Sequence, residues 1–289
     1  MQQFQGYVES TGWLQIFGYR YNENINPRRK YAMYTRELTL ALSLAEKAGD
    51  IQMHHQNTPI QIHYKEDTSP VTAVDRECET LIRSAITEKF PEDAFLGEES
   101  GKQSGTSGRC WIVDPLDGTR PFIRGIPTFS TLIALETDGH PVVGVIHLPA
   151  LGKTCWAAKG HGAFCNGRPI HVSTTPTLKD AVGSALGYLE HEESDLRQSL
   201  LTFMGALGYH YGFMDAFSYA CLAEGKLDVC VNVLDKPWDC AAAACIVSEA
   251  GGTFTDITGT ASVHNGSIIL SNGILHEQTF DFFRNFRNN

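Results

Sequence analysis

The sequence predicts a mixed α/β protein that folds as two layered halves with a cleft between them. Between about residues 94 and 165, short apolar segments alternate with Asp-Gly, Pro and Asn-Gly turns, which is typical of an antiparallel sheet. From about residue 180 the pattern changes to alternating strands and helices, which is typical of α/β units. Because each sheet has an apolar face that helices must cover, the two patterns together predict stacked layers.

The first half of the chain begins with two predicted helices. Apolar residues recur at helical spacing from about residue 33, and Gly49 is a plausible end for this helix. A second amphipathic segment covers residues 75–90, and Pro91 ends it. Six strands are predicted to follow, with a polar loop at residues 101–108 between the first two: 94–97, 110–113, 129–136, 142–148, 155–158 and 163–165.

The second half alternates between strands and helices. A strand at residues 181–188 is followed by helices at 192–207 and 215–224. A strand at 227–233 then precedes an alanine-rich helix at 239–250, which two glycines end. We therefore divide the chain into an extension of unknown role, an N-terminal α+β subdomain and a C-terminal α/β subdomain: residues 1–32, 33–180 and 181–289.

The composition excludes several classes of protein. The 289 residues carry a net charge of −10, so no basic surface for a nucleic acid is expected. No apolar stretch reaches the roughly 18 residues that a membrane span requires, and residues 1–32 lack the pattern of a signal peptide. The eight cysteines form no C-x-x-C pair, which favours reduced thiols over a zinc site or a disulfide scaffold. We expect a cytoplasmic protein that binds neither nucleic acid nor membrane.

The most informative segment is the apolar run 110–113 followed by Asp114-Pro115-Leu116-Asp117-Gly118-Thr119. The run predicts a buried strand, and the proline is expected to end it because it lacks a backbone donor. The two carboxylates would then leave the strand in a turn and point at one place. With the carbonyl of Leu116 they offer the oxygen ligands that Mg²⁺ prefers. The backbone N–H groups of Gly118 and Thr119 could bind a phosphate.

Three further acidic stretches could complete this site. Glu98 and Glu99 follow the first predicted strand of the sheet, where neighbouring side chains point in opposite directions. One could bind a metal ion while the other orients a water molecule. Asp75 and Asp239 each stand at the start of a predicted helix. The alternative interpretations are a solvated glutamate pair and two ordinary helix caps, and Lys65 by itself would be an ordinary surface lysine.

Taken together, these residues resemble the inositol monophosphatase family. The resemblance depends on the order and spacing of five features: Lys65, Pro70-Val71-Thr72 with Asp75, Glu98-Glu99, Asp114-Pro115-Leu116-Asp117-Gly118-Thr119, and Trp238-Asp239 with Glu249-Ala250-Gly251-Gly252 downstream. It covers about residues 33–285. The resemblance implies a five-layered α/β/α/β/α sandwich of the sugar-phosphatase type, which fructose bisphosphatase shares, with the metal site at the junction of the two halves.

The same resemblance implies phosphomonoester hydrolysis with two or three Mg²⁺ ions per subunit. Asp75 and Glu99 would support the water molecules at the metal ions, and Thr119 would help to orient the attacking one. Gly118 and Thr119 would hold the phosphate. The family also implies a homodimer and inhibition by Li⁺. The expected metal ligands, carried over by position, are Glu98, Asp114, the carbonyl of Leu116, Asp117 and Asp239.

Two positions bear on the choice of substrate. The segment 211–220 and the run Lys236-Pro237-Trp238-Asp239 resemble the histidinol-phosphate phosphatase branch more than the inositol branch. Asp215 falls where that branch has an acidic residue near the substrate, and it could pair with an ammonium or imidazole group; a helix cap is the alternative. Asn232 stands where both branches place a glutamate, and an amide brings no charge for a cationic substrate.

We therefore predict a Mg²⁺-dependent phosphatase that acts on a small phosphomonoester. Histidinol phosphate is the first candidate substrate and myo-inositol monophosphate the second, with Lys65, Asp215 and Asn232 as substrate-binding residues. Phosphoadenosine phosphate and fructose bisphosphate are further candidates. The alternative from another class is a protein that keeps the fold and only binds a phosphate ligand. The retained carboxylates argue against it, because clustered carboxylates without a function would repel one another.

Overall fold

A computed structural model describes residues 33–56, 62–64, 70–188, 194–212 and 215–286, together with three short strands near the N-terminus. The predicted substrate residue Lys65 lies outside the described residues. The division of the chain at residues 32 and 180 stays a prediction. The three strands near the N-terminus form a small antiparallel sheet. Their bounds are Val8–Glu9 (β1), Trp13–Ile16 (β2) and Tyr19–Asn22 (β3).

Two helices open the main body of the protein, as predicted. They are α1 (Thr35–His55) and α2 (Ala73–Lys89), and between them the strands β4 (Ile62–Tyr64) and β5 (Pro70–Thr72) form an antiparallel pair. The prediction that α1 ends at Gly49 is wrong. A Cβ at Gly49 would lie 2.5 Å from Nε2 of His147. The glycine therefore allows the middle of α1 to pack closely on the sheet and does not end the helix.

The first sheet has eight strands in the order β13-β12-β11-β10-β9-β8-β6-β7. All neighbours are antiparallel except β6 and β8. The predicted loop at residues 101–108 contains the short edge strand β7. The bounds are Ala94–Gly97 (β6), Gly101–Gln103 (β7), Arg109–Asp117 (β8), Ser130–Thr137 (β9), His140–Leu148 (β10), Lys153–Ala158 (β11), Gly162–Cys165 (β12) and Arg168–Ile170 (β13).

The second sheet has five strands in the order β15-β14-β16-β18-β17. Only the pairings of β14 with β15 and β16 are parallel. The strands are Val182–Leu186 (β14), Tyr209–His210 (β15), Val229–Asn232 (β16), Thr253–Thr255 (β17) and Ile268–Ser271 (β18). The remaining helices are Thr119–Arg124 (α3), Asp195–Ala206 (α4), Asp215–Ala223 (α5), Pro237–Glu249 (α6) and His276–Phe280 (α7), with short 3₁₀ turns at Pro149–Leu151, Leu178–Asp180 and Asp281–Phe286.

The helices and sheets stack in five layers. Helices α1 and α2 cover one face of the eight-stranded sheet, while α5 and α6 lie between the two sheets. Helices α4 and α7 cover the outer face of the five-stranded sheet. The alanine run 241–244 of α6 is fully buried. A Cβ at Gly144 of β10 would lie 2.4 Å from the carbonyl oxygen of Ala242, so a glycine is required where α6 meets the sheet.

Two further observations complete the description. Among the described residues, no helix is both long and apolar enough to cross a membrane. All eight cysteines fall within the described ranges and carry free thiols, and seven of them are buried.

Candidate active site

A cavity of about 620 Å³ lies between the two sheets, where β8, β14, β16 and the first turns of α5 and α6 meet. Its lining is strongly acidic. One guanidinium, that of Arg120, also lines it, and this side chain is exposed. Six carboxylates line the cavity: Glu98, Asp114, Asp117, Asp215, Asp235 and Asp239.

A β-bulge in β8 brings Asp114 and Asp117 to the same side of the sheet. The prediction that Pro115 ends the strand is wrong, because β8 continues to Asp117. Asp114 pairs with Leu132 and Asp117 with Ser130, so two residues of β8 face one residue of β9 between these pairs. In a regular strand, residues three apart point to opposite faces. The inserted residue removes this alternation, and both carboxylates line the cavity.

The bulge is held by hydrogen bonds to the carbonyl of Pro115. The Gln52 amide donates to it over 2.8 Å, and the Thr131 hydroxyl donates over 3.2 Å. Gln52 belongs to α1 and is fully buried. The part of α1 beyond Gly49 therefore supports the metal-ligand candidates, which explains what the helix gains by continuing. Pro115 is tolerated because the bulge already interrupts the ladder of backbone hydrogen bonds.

The turn after β6 carries Glu98 and Glu99. Glu98 lines the cavity, and Glu99 is not among the residues that line it. The buried carboxylate of Glu79, in α2, accepts hydrogen bonds from the backbone N–H groups of Glu99 and Ser100 over 2.8 and 2.7 Å. Glu79 therefore fixes the turn that presents Glu98. Sequence reasoning missed Glu79, because its helical position gives no local sign of a contact about twenty residues further along the chain.

Asp75 and Asp239 occupy the same position in two helices. Each is the third residue of its helix, and its Oδ2 accepts the backbone N–H of the preceding cap residue: Thr72 over 2.8 Å and Lys236 over 2.7 Å. The Thr72 hydroxyl also donates to Asp75 over 2.6 Å. A capping role and a role in the site are thus compatible, because capping uses one oxygen of the carboxylate. Asp239 lines the cavity.

Thr119 connects Asp75 to the bulge. Its hydroxyl lies 3.2 Å from Oδ1 of Asp75 and 3.2 Å from the carbonyl oxygen of Leu116, and it can donate to either. Gly118, just before it, has a φ of 77°. This left-handed conformation turns the chain from β8 into α3 and is accessible to glycine at little cost. Gly118, Thr119 and Leu116 all line the cavity.

The carboxylates on this side of the cavity hold protons more tightly than ordinary aspartates. Burial, followed by the negative charges of Glu98, Asp117 and Asp239, raises the pKa of Asp114 well above its usual value. Burial also raises the pKa of Asp117 and Asp239 well above the usual range, with Asp215 and Asp235 respectively the largest neighbouring charges. Without bound cations, the folded protein confines these like charges in a buried space.

The cavity is also lined by Asp215 and Asn232, the two predicted substrate residues that the structure describes, together with Tyr219 and Asp235. The Tyr219 hydroxyl donates to Asp235 over 2.6 Å, and the Asn232 amide also donates to it. Burial raises the pKa of Asp215 to about 6 and that of Asp235 to about 7. Asp215 begins α5 with a φ of 64°, and a Cβ at Gly118 would lie 3.4 Å from its Oδ2.

Sequence reasoning missed three residues that line the cavity or support its lining: Asp235, Tyr219 and Ser130. Ser130 donates to Asp117 over 2.7 Å, and the backbone N–H of Ala216 donates to the same oxygen over 3.1 Å. Asp117 is thereby joined to the first turn of α5. One signal was present for Asp235: an acidic residue four positions before Asp239, followed by Lys-Pro, cannot lie far from that helix terminus.

Comparison with known proteins identifies the family. The profile of the inositol monophosphatase family matches residues 34–285. The chain belongs to the inositol monophosphatase family. A histidinol-phosphatase from Chlorobaculum parvum is 40% identical over 82% of this chain and 92% of its own length. A histidinol-phosphatase from Mycobacterium tuberculosis is 38% identical over 84% and 95% of the two chains. The solved structure of a Thermotoga maritima IMPase has a TM-score of 0.77 at 32% identity, covering 87% of this chain and 98% of the other.

These comparisons confirm the predicted family and the sugar-phosphatase type of fold. They also confirm the predicted class of enzyme, a phosphoric monoester hydrolase. The roles given to individual residues stay predictions.

Proposed function

We propose that this protein is a Mg²⁺-dependent phosphatase whose substrate is histidinol phosphate. The observation that carries the proposal is the lining of the cavity, to which the described part of the chain contributes six carboxylates and one guanidinium. A phosphate dianion would be repelled from such a lining unless cations entered with it. Carboxylate and carbonyl oxygens are hard ligands, which fits Mg²⁺ better than a softer transition metal.

The residues that would hold Mg²⁺ are Glu98, Asp114, Asp117 and Asp239, with the carbonyl of Leu116. The raised pKa values of the three aspartates agree with this donor set, because a bound cation would offset both the burial and the repulsion that raise them. Bound there, Mg²⁺ would polarise the phosphate oxygens, lower the pKa of the attacking water and stabilise the leaving alkoxide.

Asp75 and Thr119 would orient the attacking water. The Asp75 carboxylate and the Thr119 hydroxyl are within hydrogen-bonding distance of each other, and the hydroxyl also lies 3.2 Å from the carbonyl oxygen of Leu116, a metal-ligand candidate. Burial raises the pKa of Asp75 against the hydrogen bonds from Thr72. A carboxylate with a raised pKa is a better acceptor for the proton of a water molecule that attacks phosphorus. The backbone of Gly118 and Thr119 would contact the phosphate, and Arg120 would attract it from the rim.

Histidinol phosphate is favoured over uncharged alcohol phosphates for two reasons. Two relatives of the chain, at 40% and 38% identity, bear the name histidinol-phosphatase. The cavity also carries Asp215, a carboxylate outside the proposed set of metal ligands that an inositol ring would not require. We extend the proposal to a cytoplasmic homodimer with two or three Mg²⁺ per subunit and inhibition by Li⁺.

The test is a measurement of phosphate release by the purified full-length chain. Histidinol phosphate, myo-inositol 1-phosphate, fructose 1,6-bisphosphate and 3′-phosphoadenosine 5′-phosphate would be compared with Mg²⁺ and with EDTA. We expect Mg²⁺-dependent release, with kcat/KM for histidinol phosphate at least about tenfold above the others, a difference that one additional ionic contact can supply. Activity that survives EDTA would contradict the metal proposal, and an equal or higher kcat/KM for inositol phosphate would contradict the substrate.

A pair of variants at one position tests the orienting role. Thr119→Ala should lower kcat by about 100-fold with KM little changed, because general acid–base groups contribute factors of this size. Thr119→Ser keeps the hydroxyl and should restore most of the activity. Equal losses in the two variants would mean that the methyl group matters and the hydroxyl does not.

A further inference from the structure

Asp235 is a buried carboxylate held in a fixed orientation beside the cavity. The residue lies between β16 and α6 in the chain and is only 3% exposed. Tyr219 donates to Oδ2 over 2.6 Å, and Asn232 donates to Oδ1. The backbone N–H of Leu234 donates to Oδ1 of Asn232 over 3.0 Å, so the amide of Asn232 must turn its NH₂ group towards Asp235. Asn232 thus serves to position a carboxylate.

This arrangement changes the interpretation of Asn232. The asparagine brings no charge of its own to the cavity. The structure supplies a negative charge three residues later, in direct contact with the amide. Both side chains line the same cavity. The negative charge that the sequence lacks at residue 232 is therefore present at residue 235.

The charge on Asp235 has no cation partner among the residues that the structure describes. None of the ion pairs between described residues involves Asp235, and the neighbouring Lys236 is exposed. Its two partners, a phenol and an amide, are neutral donors. A buried carboxylate without a cation is costly, and such groups persist where a ligand completes them.

The imidazole of His210 is a second polar group in the cavity that could bind a ligand. The Nε2 atom of His210 is buried, has no hydrogen-bond partner among the described residues, and belongs to a side chain that lines the cavity. Burial lowers the pKa of His210, which favours the neutral imidazole. A neutral imidazole can donate to or accept from a polar ligand. The cavity therefore offers an unused hydrogen-bonding site in addition to an unpaired charge.

We propose that Asp235, held by Tyr219 and Asn232, is a specificity-determining residue that selects phosphomonoesters of amino alcohols by binding their ammonium group. The carboxylates of the turn after β6, of β8 and of the first turn of α6 would serve the metal ions, which leaves Asp235 and Asp215 for the alcohol part of the substrate. The inference depends on the proposed function, since it names the chemical feature that the same cavity selects.

An ammonium group satisfies this site better than a hydroxyl does. It brings a positive charge and three donors to a carboxylate whose neutral partners leave lone pairs available. A polyol phosphate can donate hydrogen bonds to Asp235 but leaves its charge uncompensated. Selectivity should therefore be large when one substrate bears the ammonium group and its analogue lacks it.

The first experiment uses the wild-type chain with Mg²⁺ and two matched pairs of substrates. Histidinol phosphate is compared with 3-(imidazol-4-yl)propyl phosphate, which lacks only the amino group, and phosphoethanolamine is compared with ethyl phosphate. We expect kcat/KM to be about 10- to 100-fold higher for the amino member of each pair, the range for hydrogen bonds to charged groups. No preference in either pair would overturn the inference.

The second experiment assigns the preference to Asp235. Asp235→Asn keeps the shape and removes the charge, so KM for the amino substrates should rise about tenfold or more, while kcat and the values for the amine-free analogues change little. Asp235→Glu keeps the charge and should retain part of the preference. The matched control is Asp228→Asn, a buried aspartate that bonds Ser173 and Val182 and does not line the cavity. It should leave the preference unchanged.

The outcomes separate this inference from the proposed function. If histidinol phosphate is hydrolysed no better than inositol phosphate, the substrate proposal fails, yet the inference holds as long as the amino member of each pair is preferred through Asp235. If Asp235→Asn folds, as judged by circular dichroism, and keeps the full preference, Asp235 is not the selecting residue. If the variant does not fold, the wild-type pairs still decide whether the cavity selects an ammonium group.

Discussion

Two groups of buried carboxylates in this protein have opposite electrostatic situations. Near the start of β8, Arg109 donates to Asp93 over 2.6 Å and to Glu37 over 2.8 Å. Burial by itself would raise the pKa of Asp93, but hydrogen bonds from Arg109, Ser107 and Trp111 lower it below its usual value. At the other end of the same strand, Asp114 and Asp117 face other carboxylates, and their pKa values are raised well above the usual range.

The difference separates carboxylates that stabilise the fold from those reserved for a ligand. Asp93 already has its cation in the chain, so its charge contributes to stability. The same holds for Glu224, which pairs with Lys153 and Lys226 and whose pKa is lowered in spite of burial. No salt bridge between described residues involves the five aspartates of the cavity, and the repulsion among them lowers the stability of the metal-free protein.

The largest expected contrast is between Asp114→Asn and Asp93→Asn. Asp114→Asn removes a metal-ligand candidate and should lower kcat/KM by more than about 100-fold, since even outer partners of metal ligands contribute that much. The same change should stabilise the metal-free protein, because it removes a repelling charge. Asp93→Asn should instead keep activity and destabilise the fold by about 1.5 to 3 kcal/mol, the contribution of a hydrogen bond to a charged group.

Phosphate release and urea unfolding in EDTA measure both effects. An Asp114→Asn protein that keeps full activity would contradict the metal assignment. An Asp93→Asn protein that unfolds at the wild-type urea concentration would contradict the structural role given to Asp93.

Addition of Mg²⁺ should stabilise the wild type and leave Asp114→Asn much less affected. A ligand that binds only the folded state at 100 times its Kd adds about 2.7 kcal/mol. Thermal unfolding with increasing Mg²⁺ measures this, and Asp93→Asn serves as the control, because it should respond to Mg²⁺ as the wild type does. Equal responses in all three proteins would indicate a cation site elsewhere.

The pH dependence of the metal-free protein should differ between the wild type and Asp235→Asn. The folded-state pKa values of Asp215 and Asp235, about 6 and about 7, are raised above the unfolded value of about 3.9. The folded state therefore binds more protons, and the stability from these groups is complete below about pH 4 and lost as pH rises through 6 and 7. Asp235→Asn lacks one of the two groups and should lose less stability as the pH rises. The melting temperature of the variant minus that of the wild type should therefore increase by at least about 3 °C from pH 4 to pH 7. Parallel curves would show that Asp235 does not titrate in this window.

The smallest expected contrast concerns two glycines. Gly118 and Gly125 have φ values of 77° and 69°, so an alanine at either should cost about 1 to 2 kcal/mol. A Cβ at Gly118 would also lie 3.3 Å from Cα of Phe129 and 3.4 Å from Oδ2 of Asp215, whereas none of the surroundings lies within 4 Å at Gly125. Gly118→Ala should therefore be the less stable variant and should lose activity as well. The difference between the two variants in urea unfolding measures the cost of the contacts that the new Cβ makes at residue 118. Equal stabilities would mean that the neighbouring atoms move aside at no measurable cost.

Much of the fold was predictable because the order of apolar and polar residues within a short segment indicates a helix or a strand. The predicted helix at residues 75–90 corresponds to α2 (Ala73–Lys89), and the strand predicted at 142–148 to β10 (His140–Leu148). Periodicity of apolar residues sets such elements. The errors arose where a local signal had a distant cause. Gly49 packs against His147 of the sheet, and Pro115 is tolerated because it lies in a β-bulge, where its carbonyl group is bonded by Gln52 of α1.

The sequence by itself determined the family, the layered fold and the acidic residues that converge at one cavity. Those conclusions follow from residue types in a fixed order, which a single chain displays. Only the tertiary structure decided how the carboxylates are presented. The bulge that turns Asp114 and Asp117 to one side depends on strand pairing, and the role of Asn232 depends on where its amide points. Side-chain direction is set by contacts between segments far apart in the chain, so the spacing of residues in the sequence does not specify it.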